Sequence, residues 1–290
     1  MKRKRKNRKI ADIIRLVILL VALSVLLYPT ISNYLYEKNS SRIVSDYDAT
    51  MEQISEEERQ AMLAKAREYN EKLAENPAIM SDPFLGTAEE DPEYQSLLNM
   101  NGAGVMGYIR IPKIELELPV YHGTSEKVLQ RGIGHISTSS LPIGGATTHA
   151  VLTGHRGLPS KLLFTDLDKM EMGDIFYLKI LNETLAYQVD QILTVLPEET
   201  ESLKIVNGED YVTLVTCTPY AVNTHRLLIR GTRIPYEEAI EQVPDKEVAP
   251  ELPFQVKLLI LAIMILIVIF VFYLIWKKMR KTRKGRRERE

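Results

Sequence analysis

Hydrophobic and polar positions divide the 290-residue chain into three kinds of sequence. Two long apolar stretches, residues 13–27 and 258–276, lie close to its ends. Residues 41–76 carry apolar side chains at helical spacing among Glu, Lys, Ala and Gln, without Gly or Pro, and therefore predict a helix. From residue 105 onward, short apolar and β-branched runs alternate with turn residues, which predicts a series of strands.

Seven runs in this second half have the composition of strands, separated by turn signals such as Asn207-Gly208. They cover residues 106–112, 115–121, 150–153, 175–181, 186–195, 212–217 and 226–234. Many short strands with few helices indicate a closed or sandwiched β-fold of about 140 residues. Residues 77–103 are instead rich in turn residues and predict a long loop, of the kind that often serves as a lid or a linker.

The two apolar ends predict membrane-spanning helices. Residues 258–276 contain no Gly, Pro or charge and are long enough to cross the ~30 Å hydrocarbon core. The Lys and Arg residues that follow place the far end in the cytoplasm. The first stretch follows five consecutive basic residues and fits either a cleaved signal peptide or an uncleaved anchor. An Ala-x-Ala-like cleavage site is not evident after Leu27, so we favour an anchor, with both termini cytoplasmic and residues 33–253 outside the cell.

The charge distribution agrees with this topology. Residues 1–15 carry eight Lys or Arg and one acid, and residues 257–290 carry ten and two, whereas residues 16–256 carry 19 bases against 35 acids. An acidic central region does not neutralise phosphates, which argues against nucleic-acid binding. The acids are dispersed and no Cys/His spacing fits zinc, so the sequence predicts no metal site and no cofactor.

Cys217 is the only cysteine of the chain and ends the strand predicted over residues 212–217. A free cysteine is often just a small buried hydrophobe. A single thiol in an oxidising extracellular setting, however, has no partner within the chain and calls for a functional hypothesis. Arg226 begins the next extended run, so a hairpin-like return would bring a guanidinium towards the thiol and lower its pKa.

A cysteine nucleophile usually needs a histidine that the fold brings close to it. His155 follows a short apolar strand and lies in a Gly-flanked loop, from which its side chain can project into a cleft. His225 adjoins Arg226 and would point to the opposite face of an extended segment. The other histidines lie in turns or at strand edges, where solvated or structural roles are expected: His122, His135 and His149.

Taken together, these residues resemble those of sortases, the surface transpeptidases of Gram-positive bacteria. Residues 213–217 read TLVTC and are similar to the TLxTC motif of that family. Thr153-Gly154-His155 is similar to its catalytic histidine segment, and Arg226 lies nine residues beyond the cysteine, as the arginine of the family does. Residues 104–236 resemble the sortase catalytic domain.

The flanking segments resemble one branch of the family, class C, which comprises the pilin polymerases. Those enzymes have an N-terminal helical extension, a lid with an Asp-Pro-aromatic motif and often a C-terminal membrane span. The lid motif is matched here by Asp82-Pro83-Phe84, and the two other features by residues 41–76 and 258–276. Many class C lids carry Trp where this chain has Phe84, and either ring can cover a cleft.

The resemblance implies a mainly-β fold: an eight-stranded β-barrel with short helices, an N-terminal helical extension and lid, and two transmembrane helices. It also implies that Cys217 attacks the Thr–Gly bond of an LPxTG-like sorting signal, and that a lysine of the next pilin subunit resolves the thioacyl enzyme. His155 would act as acid and base, and Arg226 would stabilise the oxyanion or bind substrate carbonyls. Thr216 would help to position the substrate.

The resemblance gives the lid a mechanism as well. Asp82 would pair with Arg226, and Phe84 would cover Cys217 and His155, so that the resting enzyme blocks its own groove. The expected organisation is an anchor, a helical extension, a lid and linker, the barrel, a second linker, the C-terminal span and a basic tail. These correspond to residues 1–32, 33–76, 77–103, 104–236, 237–257, 258–276 and 277–290.

Two other functions remain open at this point. One is housekeeping attachment of surface proteins to peptidoglycan, against which the lid and the C-terminal span argue. The other is a membrane scaffold without catalysis, which is disfavoured because Cys217, His155 and Arg226 are present together.

Overall fold

The computed structural model describes residues 2–82, 84, 91–99, 102–250, 252–254 and 256–265. These residues fall into two units, one drawn from both chain ends and the other, Leu35–Pro250, from the middle of the chain. The helices are α1 (Lys2–Met51), α2 (Glu56–Glu75), α3 (Pro92–Ser96), α4 (Glu126–Leu129) and α5 (Tyr236–Gln242).

One helix in the described part of the chain is long and apolar enough to cross a membrane. It is the Val17–Met51 segment of α1. Leu26 within it is 74% exposed, as a lipid-facing side chain would be. Val256–Ile265 forms a shorter apolar helix, and residues 266–276 lie outside the described residues. The second predicted span is therefore not confirmed and stays a prediction.

Eight strands close into a barrel in the order β1-β2-β3-β4-β7-β8-β6-β5. Two neighbouring pairs, β2 with β3 and β4 with β7, are parallel, and the others are antiparallel. The strands are β1 (Val105–Ile111), β2 (Leu116–His122), β3 (Ile133–His135), β4 (Thr148–Thr153), β5 (Ile175–Ile180), β6 (Glu183–Val195), β7 (Asp210–Thr218) and β8 (His225–Ile234). The mainly-β barrel expected from the sequence is thus confirmed.

The seven predicted strands correspond to seven of these eight, and β3 is the one that the sequence pattern missed. β3 has only three residues, Ile133, Gly134 and His135, and is too short to display an alternation of apolar and polar positions. It is nevertheless paired on both sides, with β2 and with β4, and all three of its residues are buried. Tertiary pairing therefore creates this strand, whereas its local sequence does not specify it.

The prediction of one helix over residues 41–76 is wrong in one respect, because the structure has two helices there: α1 ends at Met51 and α2 begins at Glu56. Ser55 caps α2 because its hydroxyl accepts a hydrogen bond from the Glu58 backbone N–H, and the Glu58 carboxylate accepts one from the Ser55 backbone N–H. Such a capping box starts a new helix at low cost, since it satisfies two backbone donors at once.

Both helices pack on the barrel through apolar side chains that join its hydrophobic core and through specific hydrogen bonds. Tyr47 of α1 donates to the Met106 carbonyl and accepts a hydrogen bond from the Leu181 backbone. Asn70 of α2 is buried and bonds both the N–H and the carbonyl of Leu141, at 2.7 and 3.1 Å. These bonds fix the helical extension against the barrel. The loop that follows α2 reaches the site from this fixed position.

His122, His135 and His149 are buried, at 3%, 0% and 1% exposure, so the solvated alternative is wrong for all three. His135 contacts the Tyr94 hydroxyl at 2.9 Å and the Ser140 carbonyl at 2.8 Å. Burial lowers the pKa of His135 to about 3 and that of His149 to about 4. His135 and His149 therefore stay neutral at neutral pH, and all three buried histidines serve the packing of the barrel.

Candidate active site

Cys217 lies on β7 directly opposite Arg226 of β8 in the antiparallel register. The hairpin-like return expected from the sequence therefore brings the thiol and the guanidinium together. Cys217 is a half-buried free thiol. Burial raises its pKa above the ordinary value, Arg226 acts in the opposite direction, and the nearby Asp82 carboxylate raises it further. In this conformation the thiol is protonated at neutral pH.

His155 comes level with Cys217 through the parallel pairing of β4 and β7. Thr153, the last residue of β4, pairs with Val215, and His155 and Cys217 each follow two positions later, so this register leads both residues to the same end of the two strands. The pairing continues past the strand end, because the Gly154 N–H donates to the Val215 carbonyl at 3.1 Å.

Two neighbours of these residues hold the histidine loop in place. The Thr216 hydroxyl donates to the Gly154 carbonyl at 2.8 Å, and Thr216 is fully buried. Its contact in this structure is therefore with the backbone before His155, and not with a surface open to substrate. A Cβ at position 154 would come within 2.7 Å of Ile133 and 2.9 Å of Phe164, which explains why this position is glycine.

The loop that precedes the barrel reaches the site through Asp82. Its two carboxylate oxygens accept hydrogen bonds from Nε and Nη2 of Arg226 at 2.9 and 2.6 Å. The two side chains are only 5% and 10% exposed. Burial disfavours the charged guanidinium, but the bonds to Asp82 outweigh it and raise the pKa of Arg226. Arg226 is thus charged and already bound to a carboxylate.

Phe84 lies over the side chains of His155 and Arg226. Its ring centroid is 5.7 Å from that of His155, and the Arg226 guanidinium carbon lies 5.0 Å from it. The ring packs, together with Met80, against a small apolar cluster of Ile136, Val151, Leu203, Val215 and Leu228. Pro83, the middle residue of the sequence motif, lies outside the described residues.

Two side chains that sequence reasoning did not single out also border the site. Glu126 of α4 lies 3.2 Å from His155 Nε2. Arg156 forms an ion pair with Asp168, donates to the Thr218 hydroxyl at 3.2 Å and lies over the Tyr220 ring. The Gly-Thr-Ser turn before Glu126 is a signal for a helix start, but nothing local indicates that this helix faces His155.

A thiol, an imidazole and a guanidinium therefore meet at the ends of three adjacent strands, β4, β7 and β8. This is a set of groups that can supply a nucleophile, a proton carrier and a donor to a developing oxyanion. The lid residues Asp82 and Phe84 engage two of the three groups. The arrangement suits acyl transfer, with access controlled by the loop.

Comparison with known proteins gives this arrangement a family. A sortase domain matches residues 109–234. The crystal structure of sortase C1 from Streptococcus agalactiae is 51% identical, covers 67% of this chain and 98% of that chain, and superposes with a TM-score of 0.61. Sortase C from Streptococcus pneumoniae is 47% identical, covers 67% of this chain and 97% of that chain, and has a TM-score of 0.64.

Two curated relatives match over less than half of this chain. Sortase A from Streptococcus agalactiae serotype III is 33% identical over 131 residues, which are 44% of this chain and 52% of that protein. Sortase A from Bacillus anthracis is 32% identical over 127 residues, which are 44% of this chain and 59% of that protein. The matched segment thus spans little more than half the length of these curated relatives. The resemblance seen in the sequence is confirmed: the chain belongs to the sortase family and, within it, to class C.

Proposed function

We propose that this chain is a cysteine transpeptidase that polymerises pilins. It cuts an LPxTG-like sorting signal after the threonine and joins the released acyl group to a lysine amine of the next subunit. The observation that carries the proposal is the meeting of Cys217, His155 and Arg226 beneath a loop that engages them. Its pilin substrate is supported by one solved relative, 44% identical, described as a pilus-related sortase C of Group B Streptococcus.

In the first half-reaction, Cys217 transfers its thiol proton to His155 and attacks the threonine carbonyl carbon. A C–S bond forms, and the negative charge moves onto the carbonyl oxygen, where Arg226 donates hydrogen bonds. When the tetrahedral intermediate collapses, the C–N bond to glycine breaks and His155 returns the proton to the leaving amine. The result is a thioacyl enzyme.

In the second half-reaction, the lysine amine of another pilin attacks the thioacyl carbon. His155 accepts a proton from the attacking nitrogen, the C–S bond breaks, and His155 gives that proton to the leaving sulfur of Cys217. An isopeptide bond joins the two subunits, and the enzyme returns to its starting state. Thr216 contributes by holding the backbone that carries His155, through its bond to Gly154.

The lid sets the resting state in this proposal. While Asp82 occupies the hydrogen-bonding edge of Arg226, that edge is unavailable to a substrate oxygen. Phe84 covers His155 at the same time. Substrate binding therefore requires the Asp82–Arg226 pair to open, as in enzymes whose loops gate the active site.

In the same proposal, membrane anchors hold the active site at the cell surface. The apolar segment of α1 anchors the chain, and residues 258–276 form a second span. With both basic ends in the cytoplasm, the barrel lies outside the cell, where pilins are exported. The housekeeping function, anchoring to peptidoglycan, has in its favour the relatives named sortase A, but it assigns no role to the lid.

The proposal is tested with the full-length chain in detergent micelles and a purified pilin that carries an LPxTG-like signal. SDS-resistant multimers are expected with the wild type, none with Cys217→Ala, and more with the lid double variant Asp82→Ala/Phe84→Ala. Cleavage without multimers, or transfer only to a glycine-type wall peptide, would instead support the anchoring function. The absence of any Cys217-dependent product would contradict both.

A further inference from the structure

Glu126 contacts the imidazole of His155, although it is not one of the three groups (thiol, imidazole and guanidinium) described above. Its Oε2 lies 3.2 Å from His155 Nε2, within hydrogen-bond distance. The His155 side chain is 19% exposed and that of Glu126 is 70% exposed, so the contact lies at the rim of the site. A carboxylate can only accept a hydrogen bond, so the contact requires a proton on Nε2.

The Glu126 carboxylate is itself held in place by its neighbours on α4 and beyond. Its other oxygen accepts a hydrogen bond from the Gln130 amide at 2.7 Å, and the Gln130 amide oxygen accepts one from Lys161 at 3.2 Å. The bond from Gln130, together with His155, lowers the pKa of Glu126, which keeps it ionised. Ser125 caps the short helix that carries Glu126 and so fixes the backbone of this residue.

The groups on the other sides of His155 do not offer Nε2 a second anion. The lid contributes the Phe84 ring, stacked at 5.7 Å, and the Asp82 carboxylate is engaged by Arg226. Cys217 lies on β7, which pairs with β4, the strand that leads into His155. Among the residues that the structure describes, Glu126 is the carboxylate that bonds the His155 ring.

We propose that Glu126 is a positioning residue for His155, whose bond to Nε2–H leaves Nδ1 as the nitrogen that exchanges protons with the Cys217 thiol and the substrate. The proposal rests on the acyl-transfer function argued above. Nδ1 takes the thiol proton, the ring becomes an imidazolium with Nε2–H still bonded to Glu126, and Nδ1 then gives the proton to the leaving amine. Arrangements in which a carboxylate orients the catalytic imidazole and stabilises its charged form follow the same logic on other folds.

The direct test is the tautomer of His155 in the full-length chain, labelled with ¹⁵N-histidine in detergent micelles. Long-range ¹H–¹⁵N spectra distinguish Nε2–H from Nδ1–H, and a His155→Gln sample identifies which of the five histidines is observed. The wild type is expected to carry the proton on Nε2 when neutral. Glu126→Gln keeps an acceptor oxygen and should keep that tautomer, whereas Glu126→Ala should lose the preference.

Cleavage kinetics on an LPxTG-like peptide give the second readout. Glu126→Ala is expected to lower kcat about five-fold with KM unchanged, which is about 1 kcal/mol, the upper range for a partly exposed pair. Glu126→Gln should recover part of this loss, because it restores the bond without the charge. Glu201→Ala is the control, since Glu201 is likewise an exposed carboxylate but pairs with Lys204 and not with His155.

An Nδ1–H tautomer in the wild type, an unchanged tautomer in Glu126→Ala, or a kcat equal to that of Glu201→Ala overturns the proposal. Thermal unfolding of both variants separates a loss of fold from a loss of positioning. If no variant cleaves any peptide, the proposed function fails, and the tautomer measurement alone still decides whether Glu126 positions His155.

Discussion

Replacing Asp82 with alanine tests whether the loop before the barrel controls access to Cys217. The change removes both hydrogen bonds to Arg226 and frees the Nε and Nη2 donors of its guanidinium. It also removes a negative charge that raises the pKa of Cys217. Both effects act in the same direction, because an open site admits reagent and a lower pKa supplies more of the reactive thiolate.

The size of the effect follows from the geometry of the pair. Each hydrogen bond to a charged group contributes about 1.5–3 kcal/mol, but opening the lid lets both ions regain water. We therefore take about 2 kcal/mol for the net stabilisation of the closed lid, which corresponds to about 30-fold in the ratio of closed to open states. Alkylation through the open state should accelerate by up to that factor.

The assay is the rate of alkylation of Cys217 by iodoacetamide at pH 7, which is unambiguous because the chain has a single cysteine. Asp190→Ala is the matched control, since Asp190 forms a similar two-bond pair with Arg230 at 3.0 and 2.8 Å on β6 and β8. Asp82→Ala should react much faster than both the wild type and the control. Equal rates for all three proteins would refute a lid held closed by Asp82.

Three further predictions concern the lid ring, the buried histidines and the docking of α2. Phe84→Ala should speed alkylation of Cys217 about five-fold, from the loss of about 1 kcal/mol of ring contact with Arg226, whereas Phe84→Trp should not; equal rates would contradict a covering role. Because burial lowers the pKa values of His135 and His149 to about 3 and 4, the unfolded chain binds more protons below pH 6.5. As the pH is lowered from about 6.5 towards 4, the free energy of unfolding should therefore decrease by up to about 1.4 kcal/mol per pH unit for each histidine. When urea unfolding is measured at several pH values, the free energy of unfolding of His149→Gln should depend less steeply on pH than that of the wild type. Asn70→Ala leaves the two backbone groups of Leu141 without their partner and should lower the unfolding free energy by about 2 kcal/mol, with the alkylation rate unchanged.

The pairing of Cys217 with Arg226 was predictable because its geometry is local. The strand that ends at Cys217 and the extended run that begins at Arg226 are both plain in the sequence, and a tight return between them leaves one antiparallel pairing to choose. His155 was predictable as a candidate from its glycine-flanked loop. Its place beside Cys217 depends on the parallel pairing of β4 with β7, which joins segments about 60 residues apart and has no local signal.

The residues that sequence reasoning missed act through tertiary contacts. β3 consists of three residues, and its pairing on both sides makes it a strand. Thr216 was expected to help position the substrate, and the structure adds what the sequence did not show, that it is buried and donates its hydroxyl to the Gly154 carbonyl. Glu126 gives no sign in the sequence of its contact with His155, because nothing local fixes where α4 lies. The break before α2 is different, since its capping box was present in the sequence.

The measurement that tests the central claim most directly is mass spectrometry of the protein after incubation with a pilin or a peptide that carries an LPxTG-like signal. The account predicts an acyl adduct on Cys217 that ends at the threonine of the signal and disappears when a lysine amine is supplied. It predicts no adduct in Cys217→Ala and more adduct in Asp82→Ala, in which the site is open. A cut signal with no adduct on Cys217, or equal product from Cys217→Ala, would contradict acyl transfer through this thiol.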